Sequence, residues 1–214
     1  MGFKCGIVGL PNVGKSTIFN AITNAGAESA NYPFCTIEPN VGMVNVPDYR
    51  LDKLVEAYHP RSIIPAVTQF VDIAGLVKGA SQGEGLGNQF LTHIRECEAI
   101  MEVVRCFEDE NIVHVHGSVD PLRDVEIIET ELLLKDLDSV EKRLVTETKN
   151  ARTGGASAKA RLEACENLKN AMSEGTPARK MLGTSDEMDS LISDLALLTA
   201  KPVFYCANVG EDEM

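Results

Sequence analysis

The sequence predicts an α/β fold in which a mainly parallel sheet carries an inserted antiparallel helical hairpin. Short apolar runs alternate with segments whose apolar residues recur at helical spacing, which is the pattern of parallel strands connected by helices. More than ninety residues, from Phe107 to Pro202, separate the last two apolar runs. A single crossover helix with its loops needs only roughly 15 to 35 residues. Because that interval is strongly helical, we expect it to form a separate helical unit.

Five short apolar runs bounded by polar residues are predicted to be strands. They span residues 3–8, 41–46, 66–71, 99–107 and 202–207. Three helices are expected between these strands, because apolar residues recur there every three or four positions. These helices span residues 15–23, 47–60 and 88–98.

The long interval is predicted to contain three helices. Asp120 followed by Pro121 is a favourable N-cap and first-turn pair. Leu133, Leu137, Val140 and Leu144 then alternate spacings of four and three, as in the seam of a coiled coil. Thr153-Gly154-Gly155 breaks this pattern, and a second helix follows with Ala160, Ala164, Leu168 and Met172. Thr184 with Glu187 is interpreted as a capping box for a third helix that extends through Leu198. We therefore assign residues 1–120 and 196–214 to the sheet domain and residues 121–195 to a helical insertion.

Composition argues against a membrane protein. No apolar run reaches the roughly 18 residues that a membrane-spanning helix requires. Residues 1–10 are mostly apolar, but no small-residue cleavage site follows them, so a signal peptide is not expected. The six cysteines include no C-x-x-C pair, and no zinc site is predicted. We expect a cytoplasmic protein.

Charge is distributed unevenly along the chain. The net charge of −12 argues against a protein that clamps a nucleic-acid backbone with its whole surface, and direct DNA binding is not expected. Between residues 135 and 180, however, ten Lys and Arg oppose seven Asp and Glu, a net charge of +3, so the remainder carries −15. The helical insertion therefore presents a different surface from the sheet domain.

The segment after the first predicted strand has the sequence of a phosphate-binding loop. Residues 9–16, Gly-Leu-Pro-Asn-Val-Gly-Lys-Ser, match G-x-x-x-x-G-K-[ST] between a strand and a helix, which predicts a P-loop NTPase domain. Glycines let the backbone N–H groups point at phosphate oxygens, while the lysine reaches the β- and γ-phosphates and the serine hydroxyl ligates Mg²⁺. The predicted nucleotide contacts here are Asn12, Val13, Gly14, Lys15, Ser16 and Thr17.

Two further segments are expected to sense the γ-phosphate and Mg²⁺. Asp72-Ile73-Ala74-Gly75 follows a predicted strand, as D-x-x-G does in Ras-like proteins, so Asp72 is a predicted metal ligand and Gly75 a predicted phosphate contact. Thr36 lies in the first switch loop and is predicted to complete the Mg²⁺ shell through its hydroxyl. An ordinary loop threonine remains the alternative for Thr36.

The chain resembles the Obg-like ATPase (YchF) family over essentially its whole length. The resemblance rests on GLPNVGKST, NYPFCTIEPN, DIAGLVKGASQGEGLGNQFL, VVRCFEDENIVHVHG and FYCANVGE. It implies a P-loop NTPase of the Obg branch and a large-subunit ribosome partner. It also implies that the family's further sheet elements and C-terminal TGS domain lie outside these 214 residues, so we expect a partial chain.

The segment that would recognise the base departs from the guanine motif. Guanine specificity rests on N-K-x-D, but this chain has Asn208-Val209-Gly210-Glu211, in which Val209 replaces the lysine and Glu211 is one methylene longer than aspartate. A site built to pair with both guanine donors would lose that geometry. The resemblance implies that adenine is accepted, with Asn208, Val209 and Glu211 at the base. We expect ATP to bind at least as well as GTP.

The hydrolytic machinery also departs from the Ras-like pattern, because Leu76 follows D-x-x-G where those enzymes place a water-orienting glutamine. Slow intrinsic turnover is expected. The resemblance marks His114 as a mobile histidine that approaches the γ-phosphate, whereas an ordinary solvated loop histidine is the alternative. Asn12 is a candidate ligand for K⁺, which supplies charge in several P-loop NTPases with this motif, or else it only shapes the loop.

Three functions remain open from the sequence. The first is a slow ATPase that acts as a ribosome-associated switch, with the glycine-rich segment 75–87 ordering when nucleotide binds. The second is a nucleotide-gated adaptor in which occupancy rather than hydrolysis controls partner binding. The third is an Obg-type GTPase. The basic helical hairpin is either a partner surface or a solvated face that packs only against itself.

Overall fold

The computed structural model describes residues 3–25, 40–73 and 86–211. The strands are β1 (Phe3–Val8), β2 (Val41–Asn45), β3 (Val67–Asp72), β4 (Ala99–Arg105) and β5 (Val203–Asn208). The helices are α1 (Lys15–Ala25), α2 (Tyr49–Tyr58), α3 (Leu86–Arg95), α4 (Pro121–Thr153), α5 (Ala156–Ser173) and α6 (Asp186–Leu195). Short 3₁₀ turns at Ala178–Lys180 and Leu198–Ala200 flank α6. The predicted α/β class is confirmed.

The five strands form one sheet in the order β2-β3-β1-β4-β5. All neighbouring pairs are parallel except β2 with β3, so the predicted mainly parallel sheet is confirmed. In this register Ile7 lies opposite Asp72, and Arg105 lies opposite Asn208. The carboxyl ends of β1, β3, β4 and β5 therefore meet at one edge, where ligands bind in open α/β sheets.

Apolar side chains form two clusters, and α4 contributes to both. The first cluster packs the sheet against α1, α3 and the start of α4, with Ile128 and Leu132 buried in it. The second lies among α4, α5 and α6, with Val140 and Leu168 fully buried. Because α4 is a continuous helix of 33 residues, it extends about 50 Å and ties the helical unit to the sheet.

The return from the helical unit to the sheet is fixed by a buried carboxylate on α4. Asp136 is fully buried and accepts hydrogen bonds from the Leu198 and Thr199 backbone N–H groups at 2.9 and 2.7 Å and from the Thr199 hydroxyl at 2.7 Å. Burial raises the pKa of Asp136, while these three donors act to lower it. The contacts anchor the turn that leads directly into β5.

The third helix differs from the prediction at both ends. Ser185, and not Thr184, is its N-cap, because the Ser185 hydroxyl accepts from the Met188 N–H at 3.1 Å, whereas the Thr184 hydroxyl donates to the Met181 carbonyl. Both residues can cap a helix, and the sequence pattern alone does not choose between adjacent ones. The helix also ends at Leu195, since Ala196 adopts a left-handed conformation, and Leu198 lies in the following 3₁₀ turn.

Other predicted boundaries shift by a few residues. The strand expected over 99–107 ends at Arg105, where the chain turns so that the Arg105 side chain reaches the Phe107 carbonyl. The strand expected to end at residue 71 extends to Asp72, which places that carboxylate at the sheet edge. Within the described residues no helix is both long and apolar enough to cross a bilayer.

Candidate nucleotide-binding site

The predicted phosphate-binding loop connects the central strand β1 to α1 at the carboxyl edge of the sheet. Gly9 has a φ of +156°, and a Cβ there would lie 2.6 Å from the Val103 carbonyl oxygen of the neighbouring strand. Gly14 has a φ of +97°, a conformation that side-chain-bearing residues rarely adopt. The loop therefore has the close approach and the backbone curvature that require glycine at both ends of the motif.

Lys15 lies inside the curve of this loop. Its side chain is buried, and its ammonium group donates to the Leu10 carbonyl at 2.7 Å. Burial lowers the pKa of the Lys15 ammonium, while the nearby Asp72 carboxylate acts in the opposite direction. A buried cation in a glycine-containing loop at the start of a helix provides a site suited to a polyanion such as triphosphate.

The two described residues predicted to hold Mg²⁺ lie in contact. The Ser16 hydroxyl donates to Asp72 Oδ2 at 2.7 Å, joining the first turn of α1 to the end of β3. A hydroxyl and a carboxylate at this spacing are hard oxygen donors of the kind that Mg²⁺ prefers. These residues fit the predicted cation. Thr36 and Gly75, together with Leu76, lie outside the described residues.

The end of β5 is also fastened to the phosphate-binding loop. Asn208 Nδ2 donates to the Val13 carbonyl at 2.9 Å, a contact between residues 195 positions apart. Val13 is buried, and Val209 is half-buried beside Asn208, while Glu211 and Thr17 are exposed. The structure thus brings the predicted base segment and the predicted phosphate segment together through Asn208.

Gly14→Ala is expected to weaken ATP binding by more than about tenfold, because the left-handed backbone strains any side chain there by roughly 1–2 kcal/mol. A Cβ at this position would also lie 2.4 Å from Asn208 Nδ2 and push that side chain off the loop. Isothermal titration calorimetry with Mg·ATP measures the change. Gly117→Ala is the matched control, since Gly117 also has a positive φ but no atom lies within 4 Å of its Cβ position. Equal losses of ATP affinity in both variants would contradict the assignment of residues 9–16 as the phosphate-binding loop.

The loop after β4 is held by a buried arginine. Arg105 is 1% exposed and donates to the carbonyl oxygens of Phe107 at 3.0 Å, Ile112 at 2.9 Å and Asp109 at 3.3 Å. Its guanidinium group also lies 4.6 Å from the centre of the Phe107 ring. The loop touches the phosphate-binding loop through Asn12, which has a φ of +63° and whose Nδ2 donates to the Val113 carbonyl at 3.0 Å.

His114, in this same loop, is buried and paired with a carboxylate. It is 7% exposed, and its Nε2 lies 2.8 Å from Asp124 Oδ2 on α4. The His116 backbone N–H donates to His114 Nδ1 at 3.2 Å. Since Nδ1 accepts, Nε2 carries the hydrogen and donates to Asp124. The interpretation of His114 as an ordinary solvated loop histidine is therefore wrong.

Asp124 is the residue at this site that the sequence did not reveal. Its carboxylate is buried, and Arg123 Nη2 lies 3.1 Å from Asp124 Oδ1. With both ring nitrogens engaged in this way, His114 must leave Asp124 before it can contact a phosphate. The position four residues after the N-cap Asp120 was visible in the sequence, but nothing local indicated that this side of α4 faces the loop.

Known proteins match this sequence over most or all of its length. Residues 4–146 match a family model described as 50S ribosome-binding GTPase. The chain is 56% identical to the ribosome-binding ATPase YchF of Bacillus subtilis over 214 residues, and 57% identical to the protein of that name from Escherichia coli O157:H7 over 212 residues. These alignments cover 100% and 99% of this chain but 58% of each relative.

A solved structure has the same fold. The YchF GTPase of Schizosaccharomyces pombe superimposes with a TM-score of 0.83 at 46% identity, over 99% of this chain and 58% of that one. The chain thus spans about three-fifths of the length of the relatives it matches. The names of these relatives differ in the nucleotide, since the bacterial proteins are called ATPases and the yeast protein a GTPase.

Proposed function

The chain belongs to the YchF family, within the wider 50S ribosome-binding GTPase family, and we propose that it is a Mg²⁺-dependent ATPase of slow turnover that acts as a ribosome-associated switch. The observation that carries the proposal is the convergence of a glycine-built phosphate loop, the buried Lys15 and the Ser16–Asp72 contact at one sheet edge. This arrangement supplies what a P-loop enzyme uses to bind triphosphate and metal.

The choice of ATP rests on the end of β5. Asn208 is held against the phosphate loop and Val209 lies beside it, whereas Glu211 is exposed and no contact of its carboxylate is described. The lysine and the aspartate that recognise guanine have no counterpart in this arrangement. We therefore propose that adenine is accepted at least as readily as guanine, with GTP as a comparable or weaker substrate.

The ribosome is proposed as partner because of the family and the names of the relatives. Within the helical unit, exposed basic side chains include Lys149, Arg152 and Lys159 near the turn between α4 and α5. The turn between α4 and α5 lies far along the chain from the residues of the sheet. Its surplus of positive charge suits contact with an anionic surface. We infer that the large ribosomal subunit is contacted at this end.

A second candidate function is an adaptor in which ATP occupancy alone controls binding. The observation that favours it is the burial of His114 against Asp124, because the histidine predicted to assist hydrolysis is already engaged by a carboxylate. Phosphate release from saturating ATP, with and without ribosomes, separates the two functions. Ribosome-stimulated turnover supports the switch ATPase, while ATP-dependent ribosome binding without turnover supports the adaptor.

Hydrolysis is expected to be several-fold faster in KCl than in NaCl, since a K⁺ at Asn12 would stabilise charge that develops on the phosphates. Asn12 is suited to this role because Nδ2 donates to the Val113 carbonyl, which leaves its Oδ1 as the ligating atom. Phosphate release in the two salts at equal ionic strength measures the effect. Asn12→Ala should remove the difference, and equal rates in the wild type would count decisively against K⁺.

A further inference from the structure

A cavity of about 240 Å³ lies at the junction of the sheet with the helical unit, away from the phosphate loop. Side chains of β4, β5 and α4 supply most of its wall, and the 3₁₀ turn at Ala178–Lys180 closes one side. Ile100, Leu132, Leu133 and Val203 make part of this wall apolar. The cavity has room for more than one water molecule or for a short aliphatic group.

The polar part of the wall contains an unpartnered buried carboxyl group. Glu102, on β4, is 2% exposed, and its Oε1 is the one buried side-chain polar atom without a hydrogen-bond partner in the described part of the chain. A buried polar atom without a partner costs roughly 1–3 kcal/mol. Native proteins rarely retain such an atom without a function or a bound group that satisfies it.

The arginine in the cavity wall is already engaged. Arg179 is paired with Glu129, and the Tyr205 hydroxyl donates to Glu129 Oε1 at 2.9 Å. Glu126 also faces the cavity from α4. The wall therefore contains three carboxyl groups and one guanidinium, which disfavours an anion and leaves Glu102 without a counterion.

We propose that this cavity binds a primary alkylammonium group, with the ammonium at Glu102 and the hydrocarbon chain against Leu132 and Leu133. An ammonium donates hydrogen bonds to the unpartnered carboxylate and supplies the missing positive charge. Its aliphatic stem suits the apolar part of the wall. A metal ion is disfavoured, because no group of three potential metal-ligating side chains occurs among the described residues. The proposal is independent of the nucleotide site.

Binding should depend on pH because Glu102 must ionise. Burial, and to a smaller extent the Glu129 carboxylate, raise the pKa of Glu102 to about 8, while Arg179 acts to lower it. Below that pH the incoming ammonium displaces the Glu102 proton to solvent, so affinity rises with pH until about pH 8 and then levels off. Glu126 and Tyr205 also face this region and remain in place in the test below.

The test is calorimetric titration of the 214-residue chain with n-butylammonium chloride, with 1-butanol as the uncharged ligand of equal length. We expect saturable binding of the ammonium, at least about tenfold tighter than that of butanol, and a further loss of about tenfold in Glu102→Gln. Glu166→Gln, on the exposed side of α5, is the matched control and should bind like the wild type. Equal binding of butanol, equal binding by Glu102→Gln, or no saturable binding would overturn the proposal.

A second measurement needs no variant. Since one proton is released per ammonium bound, wild-type affinity should rise about tenfold between about pH 6.5 and 7.5. Below pH 8, the heat of binding should also vary with the ionisation enthalpy of the buffer. A flat pH profile with no buffer dependence would contradict contact with Glu102 even if the ammonium binds.

Discussion

Replacing Glu102 with glutamine is expected to raise the free energy of unfolding by about 5 kcal/mol near pH 9 and to change it little near pH 4. The pKa of Glu102 is raised from its ordinary 4.5 to about 8, chiefly by burial and then by Glu129. Each unit of difference between the folded and unfolded states corresponds to about 1.36 kcal/mol. Glutamine has nearly the same shape and carries no proton that could be lost.

The direction of this pH dependence is set by which state, folded or unfolded, keeps the Glu102 proton. Between about pH 4.5 and pH 8 the unfolded chain has lost the Glu102 proton while the folded chain retains it, so unfolding releases a proton and stability falls as pH rises. The contribution of protonated Glu102 to the stability of the fold is fully present below about pH 4.5 and is lost by about pH 8. In Glu102→Gln this loss is absent, so the variant becomes the more stable protein at alkaline pH.

Urea denaturation at several pH values, in buffers free of amines, measures the effect. Glu166→Gln is again the control, because Glu166 is exposed and its replacement should leave the pH profile of the wild type unchanged. Parallel profiles for the wild type and Glu102→Gln would show that the buried carboxyl does not titrate abnormally. The cavity would then lack the unpaired group on which its proposed ligand depends.

Removal of the His114 imidazole is expected to lower ATP turnover about 100-fold and to leave ATP affinity within about twofold, because general acid–base groups typically contribute 10²- to 10⁴-fold to rate. In the structure both ring nitrogens of His114 are engaged, one by Asp124 and one by the His116 N–H. We expect His114 to exchange Asp124 for the γ-phosphate region when nucleotide is bound. The affinity for ATP before hydrolysis should then depend little on His114.

His116→Ala provides the matched control for His114→Ala. His116 lies two residues away in the same loop but is exposed, so its loss should change turnover little. Asp124→Asn is a second comparison, because it weakens the pairing while retaining the imidazole and should lower turnover less than His114→Ala does. Phosphate release under saturating ATP gives turnover, and calorimetry gives affinity.

Stability must be measured on the same variants. His114→Ala leaves the Asp124 carboxylate buried with Arg123 as its remaining ion-pair partner, which costs roughly 1–3 kcal/mol. Assays are therefore restricted to conditions in which each variant is folded. If His114→Ala turns over ATP at the wild-type rate, His114 has no part in hydrolysis and its pairing with Asp124 is structural. The adaptor function would then be favoured.

Local patterns predicted the parts of the molecule that depend on local physics. The strand, glycine turn and helix around Lys15 are fixed by a few residues in sequence, and the structure contains them as expected. The predicted bounds of the strand Phe3–Val8 agree with the structure, because a glycine flanks this short, mostly apolar run at each end. Element types were recovered in the same way for the helices of the insertion.

The buried polar contacts could not be predicted, since each joins residues that only the tertiary fold brings together. Asp136 caps a turn 62 residues away, and Asp124 pairs with a histidine on a loop. Glu102 lies within the apolar strand β4, where the continuous apolar run predicts burial but not the lack of a partner. In a sequence these carboxylates resemble the solvated charges of any helix or strand.

The most direct test of the proposed function is a paired titration of this chain with ATP and with GTP in the presence of Mg²⁺. We predict that ATP binds at least as tightly as GTP, because Val209 and Glu211 stand where the guanine motif has lysine and aspartate. Chelation of Mg²⁺ should weaken the binding of both nucleotides, as expected if Ser16 and Asp72 hold the ion. A preference for GTP of more than about tenfold, or about 1.4 kcal/mol, would contradict the proposed ATPase and favour an Obg-type GTPase.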